Sequence, residues 1–235
     1  MDILTIGNSF SQDITTYLQR ISNKDIYVRN IYIPGCSLEQ HANNILNDNK
    51  TYEYQKDGRR LYMTNLKEAL YKRQWDIITL QQVSHLSGIE SSYHPFLVAL
   101  IQYIEEKCPN AKLMFIKTWP YEKGCSHSGF QNYNNDTYTM YKSITNVVEN
   151  TSKRYNLEII DVGNTIYNAY IKTSNGSDIE KIEYYRDGFH LSIPQGRYLA
   201  ALAFHNHLYG KDGINYKYKP KKMTKIQQEI LLNHI

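Results

Sequence analysis

Short apolar runs alternate with helical patterns about five times along the chain, and this alternation restricts the possible folds more than any other feature. The runs cover residues 1–7, 25–33, 77–80, 112–117 and 157–162. Strands that are separated by helices are typical of a parallel sheet covered by helices on both faces. The pattern therefore predicts an α/β fold, a three-layer α/β/α sandwich around a central parallel sheet of about five strands.

The segments between these runs carry the helical signal. Apolar residues recur at helical spacing within residues 9–21, 38–46, 95–107, 136–155, 164–172 and 194–209, and a further helix begins at Thr64. Residues 47–63 are polar, and the turn signal Asp57-Gly58 suits either a small hairpin or a plain loop. Residues 118–134 form a long loop, which in a compact domain is more often a binding element than a spacer.

Length and composition indicate one ordinary globular domain. The 235 residues are 41% hydrophobic and 21% charged, and no linker-like segment divides them, so we expect a single domain over 1–235 with a C-terminal extension from about residue 211. The net charge is +4, and the basic residues are scattered apart from a lysine-rich stretch between residues 217 and 225 that suits a solvated face. We therefore expect no nucleic-acid partner.

The chain carries no targeting or membrane signal. It opens directly on a strand rather than on a signal peptide, and no apolar run is long enough to cross a bilayer. We expect a soluble protein without a membrane partner, either cytoplasmic or the mature form of an exported bacterial protein. The oligomeric state stays open.

The cysteines and histidines show no metal-binding pattern. Cys36, Cys108 and Cys125 lack CxxC spacing, so neither a disulfide framework nor a zinc ribbon is indicated. Cys125-Ser-His127 is too short for a metal site, and the rings of His205-x-His207 point to different faces of a helix. We expect no metal and no organic cofactor.

Ser9 lies where the first strand turns into the first helix. The strand stops at Gly7, and Ser9 with Gln12 fits a capping box at the start of a helical pattern. A hydroxyl at this place is surrounded by unpaired backbone N–H groups, which can stabilise the negative charge that develops when a serine attacks an ester carbonyl. Ser9 is therefore a candidate nucleophile, although the position also suits a plain helix cap.

The segment Asp187-Gly-Phe-His190 contains the other groups that a nucleophilic serine needs. A carboxylate three residues before a histidine can accept a hydrogen bond from the ring Nδ1 while Nε2 faces outward. Gly188 permits the tight turn, and Pro194 begins the helix that fixes the segment to the body of the fold. Alone, the segment also suits a surface aspartate and a half-buried histidine, so its pairing with an N-terminal Gly-Asn-Ser carries the argument.

With these two blocks the chain resembles the SGNH (also called GDSL) hydrolase superfamily, and within it the branch of DUF4886-like esterases. Gly7-Asn8-Ser9-Phe10 matches the first block, with Ser9 as the nucleophile, and Asp187 and His190 match the last block. Gly35, after the second strand, matches the glycine whose N–H helps to hold the oxyanion. The resemblance covers most of the chain and implies an SGNH/flavodoxin-like fold with a Ser9-His190-Asp187 triad.

The third block departs from the family pattern, because Gly-x-Asn-Asp and its oxyanion-donating asparagine are absent. Leu80-Gln81-Gln82-Val83-Ser84 stands at the corresponding strand end and resembles the Leu-Gln-x-x-Ser run of the branch. A glutamine amide carries the same donors, so Gln81 is expected in the oxyanion hole beside the backbone N–H groups of Ser9 and Gly35. Gln82 is expected to bind substrate, and a one-residue slip of the strand end would exchange the two. A purely structural glutamine is an equal alternative.

The resemblance also implies a substrate class, O-acetyl esters of carbohydrates. Lipid esters, thioesters and peptides are lower-ranked alternatives. Residues 81–92, 118–134 and 175–185 are dominated by Ser, Asn, Gln, Gly, Tyr and Trp, which suit a sugar better than an acyl chain. Trp119 is the expected stacking residue, although a tryptophan packed under a loop is an equal interpretation. The alternatives are a non-catalytic glycan-binding module on the same fold and an esterase or thioesterase acting on non-sugar substrates.

Overall fold

The computed structural model describes residues 1–46, 48–174 and 181–235, so residues 175–180 of the predicted loop 175–185 lie outside the described part. Seven strands in these ranges form one sheet: β1 (Asp2–Gly7), β2 (Tyr27–Tyr32), β3 (Tyr52–Lys56), β4 (Arg59–Thr64), β5 (Ile77–Leu80), β6 (Lys112–Lys117) and β7 (Glu158–Asp161). Their spatial order is β4-β3-β2-β1-β5-β6-β7. The five predicted strands run parallel, from β2 to β7. Residues 47–63, left open as hairpin or loop, supply most of the antiparallel pair β3 and β4, which extends the β2 edge.

Helices cover the sheet. They are α1 (Ser9–Leu18), α2 (Leu38–Asn43), α3 (Leu66–Tyr71), α4 (Phe96–Lys107), α5 (Thr137–Tyr155), α6 (Val162–Ser174), α7 (Gln195–Tyr209) and α8 (Lys225–Leu232). Helix α7 packs against α1, α6 and α8, whereas α4 packs against α2 and α3. Over the ranges described, no helix is both long and apolar enough to cross a lipid bilayer.

The central strands are buried because helices lie over both of their faces. Every residue of β5 is buried, and so are five of the six residues of β1. Continuous burial explains why these strands read as unbroken apolar runs rather than as alternating ones. Each large aliphatic side chain removed from water contributes roughly 1.5–3 kcal/mol, so this layer forms the core of the protein.

Helix α7 differs from the amphipathic helix that its sequence predicts. Residues 198–205 of α7 are buried without interruption, because α1, α6 and α8 surround the helix. Helix α8 was not predicted, yet its Leu231 is buried and its Gln228 Nε2 donates to the Tyr198 hydroxyl at 3.0 Å. The lysine-rich stretch therefore leads into a helix that packs on α7.

The first helix begins differently from the predicted capping box. Asn8 is the N-cap, and its Oδ1 accepts the Phe10 N–H at 3.0 Å. Ser9 is the first helical residue, and the Gln12 side chain donates to the Gly58 carbonyl instead of turning back to the cap. The predicted capping box of Ser9 and Gln12 is wrong, because Asn8 occupies the N-cap position and its Oδ1 already accepts one of the free N–H groups of the first turn.

The order of the strands decides where a site can form. The chain moves from β1 to β2 on one side and later places β5 on the other side of β1. In an open parallel sheet such a reversal leaves a crevice outside the carboxyl ends of the strands. Ser9 follows β1 directly, Gly35 follows β2 and Gln81 follows β5, so the predicted residues start at the same edge of the sheet.

Candidate active site

A cavity of about 280 Å³ lies at this edge of the sheet. It is lined by Asn8, Ser9, Tyr32, Pro34, Gly35, Val83, Ser84, His85, His127, Phe189 and His190. These residues come from the last position of β2, from the segments after β1, β2, β5 and β6, and from the segment before α7. The structure thus brings the predicted residues Ser9, Gly35 and His190 together around one cavity.

His190 is held by the carboxylate predicted to orient it. Its Nδ1 lies 2.7 Å from Asp187 Oδ2, while Asp187 Oδ1 accepts the His190 backbone N–H at 2.8 Å. The turn between them passes through Gly188, whose φ of +86° belongs to the left-handed region that glycine adopts without strain. This arrangement leaves Nε2 as the ring nitrogen available to the cavity.

The charge of Asp187 follows from the same contacts. Partial burial alone would raise the pKa of its carboxyl group, but the hydrogen bonds from the His190 side chain and backbone outweigh that effect and lower the pKa below its usual value. The carboxylate is therefore ionised at neutral pH. An ionised partner at Nδ1 fixes the ring tautomer and stabilises a proton arriving at Nε2.

Ser9 lines the same cavity as His190 and is partly exposed. Among the described residues, neither its N–H nor that of Gly35 donates a hydrogen bond. Gly35 has a φ of +61° and space around its Cα, which lets its backbone face an incoming ligand. No hydrogen bond joins Ser9 and His190 within the described part of the chain, so the hydrogen-bond contact that a Ser9-His190-Asp187 triad requires stays a prediction.

Asn8 connects three strand ends beneath the cavity. Its Nδ2 donates to the Cys36 carbonyl at 2.9 Å, and its Oδ1 accepts Gln81 Nε2 at 2.9 Å in addition to the Phe10 N–H. Gln81 is fully buried and is not among the residues lining the cavity in the described part of the chain. Its amide therefore faces Asn8, and the structure does not bring this predicted oxyanion donor to the cavity.

Gln82 and Trp119 also lie in the interior. The Gln82 side chain accepts the N–H groups of Leu38 and Val83 and donates to Ser92, so its hydrogen-bonding groups are used within the protein. Trp119 stacks on Phe10 with ring centres 4.1 Å apart, is fully buried and donates Nε1–H to the Phe189 carbonyl. Neither residue offers a surface to a ligand here, because both support the cavity wall from behind.

Asp13 is a residue that the sequence reasoning missed. It is fully buried in α1, yet its carboxylate binds Arg197 Nε at 2.7 Å, Arg186 Nη1 at 3.2 Å and the Leu191 N–H at 2.8 Å. These contacts join the helix that begins at Ser9 to both ends of the His190 turn and to α7. A charged residue at a buried position of an amphipathic helix was the available signal, because burying a carboxylate requires several partners.

The segment after β6 closes the remaining side of the cavity. His127 and His85 line it with ring centres 5.7 Å apart, and His127 meets Phe189 edge to face at 4.9 Å. The Glu122 N–H donates to the Gly188 carbonyl at 2.7 Å, which ties this segment to the His190 turn. The long loop predicted as a binding element thus reaches the cavity.

Comparisons with known proteins agree with the fold described above. A DUF4886 family protein from Bacteroides uniformis has the same fold with a TM-score of 0.87 and 34% identity, covering 100% of this chain and 92% of that one. A proposed SGNH hydrolase from Slackia heliotrinireducens gives a TM-score of 0.60 at 22% identity, over 88% and 98% of the two chains. An acetyl xylan esterase gives 0.55 at 15% identity, over 85% and 96%. No curated protein matches.

The family comparison covers almost the whole chain. The family described as "Domain of unknown function (DUF4886)" matches residues 2–233. The more distant structures share the mixed α/β fold of SGNH hydrolases, with its mainly parallel sheet between helices. The resemblance read from the sequence is thereby confirmed, and the chain belongs to the DUF4886 family with the fold of the SGNH hydrolases.

Proposed function

We propose that this protein is a serine esterase that uses a Ser9-His190-Asp187 triad. The observation that carries the proposal is the 2.7 Å contact between His190 Nδ1 and Asp187 Oδ2, made by a histidine that shares its cavity with Ser9. A serine, a histidine and a carboxylate that orients the histidine are the groups of nucleophilic acyl transfer.

The reaction follows from the position of each group. Ser9 Oγ attacks the ester carbonyl while His190 Nε2 takes its proton, and the ionised Asp187 stabilises the imidazolium that forms. The backbone N–H groups of Ser9 and Gly35 donate to the oxyanion. The tetrahedral intermediate collapses, the C–O bond to the alcohol breaks, and His190 returns the proton to that alcohol. Water then repeats the sequence on the acyl-enzyme and releases the acid.

The size and lining of the cavity support a short acyl group on a sugar alcohol. A volume of about 280 Å³ lies just below the usual range of ligand pockets, roughly 300–1,000 Å³. Its surface is mostly apolar, from residues such as Pro34, Val83 and Phe189, with hydroxyl and imidazole groups at a few places. A small apolar pocket with a few polar groups suits a short acyl chain, and the polar groups can bind an alcohol that carries further oxygens. The same fold carries an acetyl xylan esterase, so we propose O-acetyl esters of carbohydrates as substrates.

Hydrolysis of an ester series by the wild type and by Ser9→Ala tests the proposal. We expect acetyl esters, including acetylated xylooligosaccharides, to be cleaved best and the rate to fall as the acyl chain lengthens. Ser9→Ala should lower the rate by about 10⁴-fold or more, whereas Asp187→Asn should leave a small residual rate.

Two outcomes would overturn parts of this proposal. A preference for acyl chains of about eight carbons, each methylene adding roughly 0.8 kcal/mol of burial, would show a lipid-like pocket. Equal rates for the wild type and Ser9→Ala would exclude Ser9 as the nucleophile. A folded wild type that cleaves no ester but binds oligosaccharides would favour the glycan-binding module.

A further inference from the structure

His127 is a cavity residue that the triad does not use. It belongs to the segment after β6 and lines the cavity with Ser9 and His190. In the sequence it stood out only in Cys125-Ser-His127, a group too short for a metal site. Its imidazole is therefore placed where it could contact a substrate.

The ring of His127 is held in a fixed orientation. Its Nδ1 accepts the Gly129 N–H at 3.0 Å, which caps the short 3₁₀ helix Ser128–Tyr133. Phe189 meets the ring edge to face, and Tyr121 packs against it with ring centres 5.1 Å apart. A side chain restrained by one hydrogen bond and two aromatic contacts loses little further freedom when it binds a ligand.

These contacts also determine where the ring carries its proton. Burial, and then the nearby His190, lower the pKa of His127 below its ordinary value, with a smaller opposite effect from Asp187. The ring is therefore neutral at neutral pH. Because Nδ1 accepts a hydrogen bond, the proton must lie on Nε2. Within the described ranges Nε2–H has no acceptor, so it is a neutral donor available to a ligand.

The neighbours of His127 decide which part of a substrate it would meet. The His127 ring contacts Phe189, and the charges of His190 and Asp187 are near enough to affect its pKa. His127 therefore lies on the same side of the cavity as the general base His190. The leaving alcohol must pass this side, because His190 delivers the proton to the alcohol oxygen. The proposed oxyanion donors, the N–H groups of Ser9 and Gly35, come instead from the strand ends.

We infer that His127 binds the alcohol part of the substrate by donating Nε2–H to an oxygen next to the ester. This rests on the esterase function proposed above and adds a specificity residue to it. The substrate class it selects is an ester of a polyol, in which a hydroxyl or ether oxygen adjoins the acylated carbon. An ester of a simple alcohol has no such oxygen and gains nothing from His127, whereas a site built around a hydrogen bond discriminates against ligands that lack the partner.

Two substitutions separate this role from a structural one. His127→Phe keeps the aromatic contacts but removes both the Nε2–H donor and the Nδ1 acceptor of the Gly129 N–H, and the loss of this cap alone should affect both test esters alike. His127→Gln keeps an N–H donor at a similar reach. Each would be assayed on a monoacetylated methyl glycoside and on ethyl acetate. We expect His127→Phe to lose about 10-fold to 100-fold in kcat/KM on the glycoside, mainly through KM, and clearly less on ethyl acetate, where only the lost cap acts. His127→Gln should recover most of the loss.

The ratio of the two kcat/KM values is the decisive quantity. An equal loss on both esters would mean that His127 only supports the cavity wall, and no loss on either would mean that it does not meet the substrate; either result overturns the inference. The esterase proposal fails by a different result, the survival of activity in Ser9→Ala. The two failures are therefore distinguishable in one set of assays.

Discussion

At the level of single residues, Asn8 holds together the segments that surround Ser9. Its amide nitrogen donates to the Cys36 carbonyl, and its amide oxygen accepts from Phe10 and Gln81. An aspartate at this position could accept but could not donate to a carbonyl. The asparagine thus suits a site in which the turns after β1 and β2 are joined and a glutamine arrives from β5.

Replacement of Gln81 separates an oxyanion role from a supporting one. Because Gln81 donates to Asn8, we expect Gln81→Ala to lower the free energy of unfolding by about 1–3 kcal/mol and kcat/KM by less than about tenfold. Ester hydrolysis and urea unfolding of the same preparation would measure both. A loss of about 10²-fold to 10³-fold, typical of a missing oxyanion donor, with unchanged stability would restore Gln81 to the oxyanion hole.

Sequence reasoning could place these residues along the chain but could not determine where their side chains point. Ser9, Gly35 and His190 reach the cavity because each follows or precedes a regular element whose end was predicted. For Gln81 and Trp119 the direction depends on the face of the last strand residue, and a slip of one residue reverses it. Gln81 donates to Asn8 and Trp119 stacks on Phe10, and both of these partners lie far away in the sequence.

At the level of elements, Asp13 joins α1, α7 and the His190 turn, and its removal should affect both fold and activity. Asp13→Asn would leave Arg197, whose side chain is largely buried, without its counter-charge. Arg186 would lose its contact with Asp13 but is partly exposed and keeps Asp187 within 4.0 Å. We expect a loss of about 3–5 kcal/mol in the free energy of unfolding and a lower kcat, because the His190 turn loses its attachment.

A surface ion pair offers the matched control for this prediction. Glu229 meets Lys225 at 3.9 Å on α8, where both side chains are largely exposed, so Glu229→Gln should cost less than about 1 kcal/mol. Urea unfolding of both variants gives the comparison. If Asp13→Asn proved no more harmful than Glu229→Gln, the Asp13 contacts would not hold the turn in place.

The elements that were predicted well are those whose local sequence pattern alone identifies them. The five parallel strands are apolar runs, and each lies within about two residues of its predicted bounds. The β3–β4 hairpin stayed ambiguous because five of the six residues of β4 are exposed and carry no buried alternation. Helix α8 was missed although a local signal was present, because Thr224 and Gln227 form a capping box ahead of apolar residues at helical spacing.

At the level of the whole molecule, buried neutral histidines make the stability of the fold depend on pH. Burial lowers the pKa of His41 to about 3 and that of His205 to about 4. His41 Nε2 is buried without a hydrogen-bond partner among the described residues, so a proton there would be poorly stabilised. Between pH 7 and pH 5 the unfolded chain takes up protons that the folded chain does not, and the free energy of unfolding therefore falls as the pH falls.

We expect His41 alone to contribute a loss of about 2 kcal/mol on going from pH 7 to pH 5. Urea unfolding at the two pH values would measure it. His41→Asn removes the titrating group while keeping a polar partner near Tyr52, which lies 2.9 Å from His41 Nδ1, so its stability should depend less on pH. The same pH dependence in His41→Asn and the wild type would contradict this account.

Covalent labelling tests most directly whether Ser9 is the nucleophile of the proposed triad. A fluorophosphonate probe reacts with a serine that is activated by a histidine, and mass mapping of the peptides then identifies the labelled residue. We expect one adduct on the wild type, located at Ser9, and none on Ser9→Ala. A folded wild type that remains unlabelled, or an adduct on another serine that persists in Ser9→Ala, would contradict this expectation.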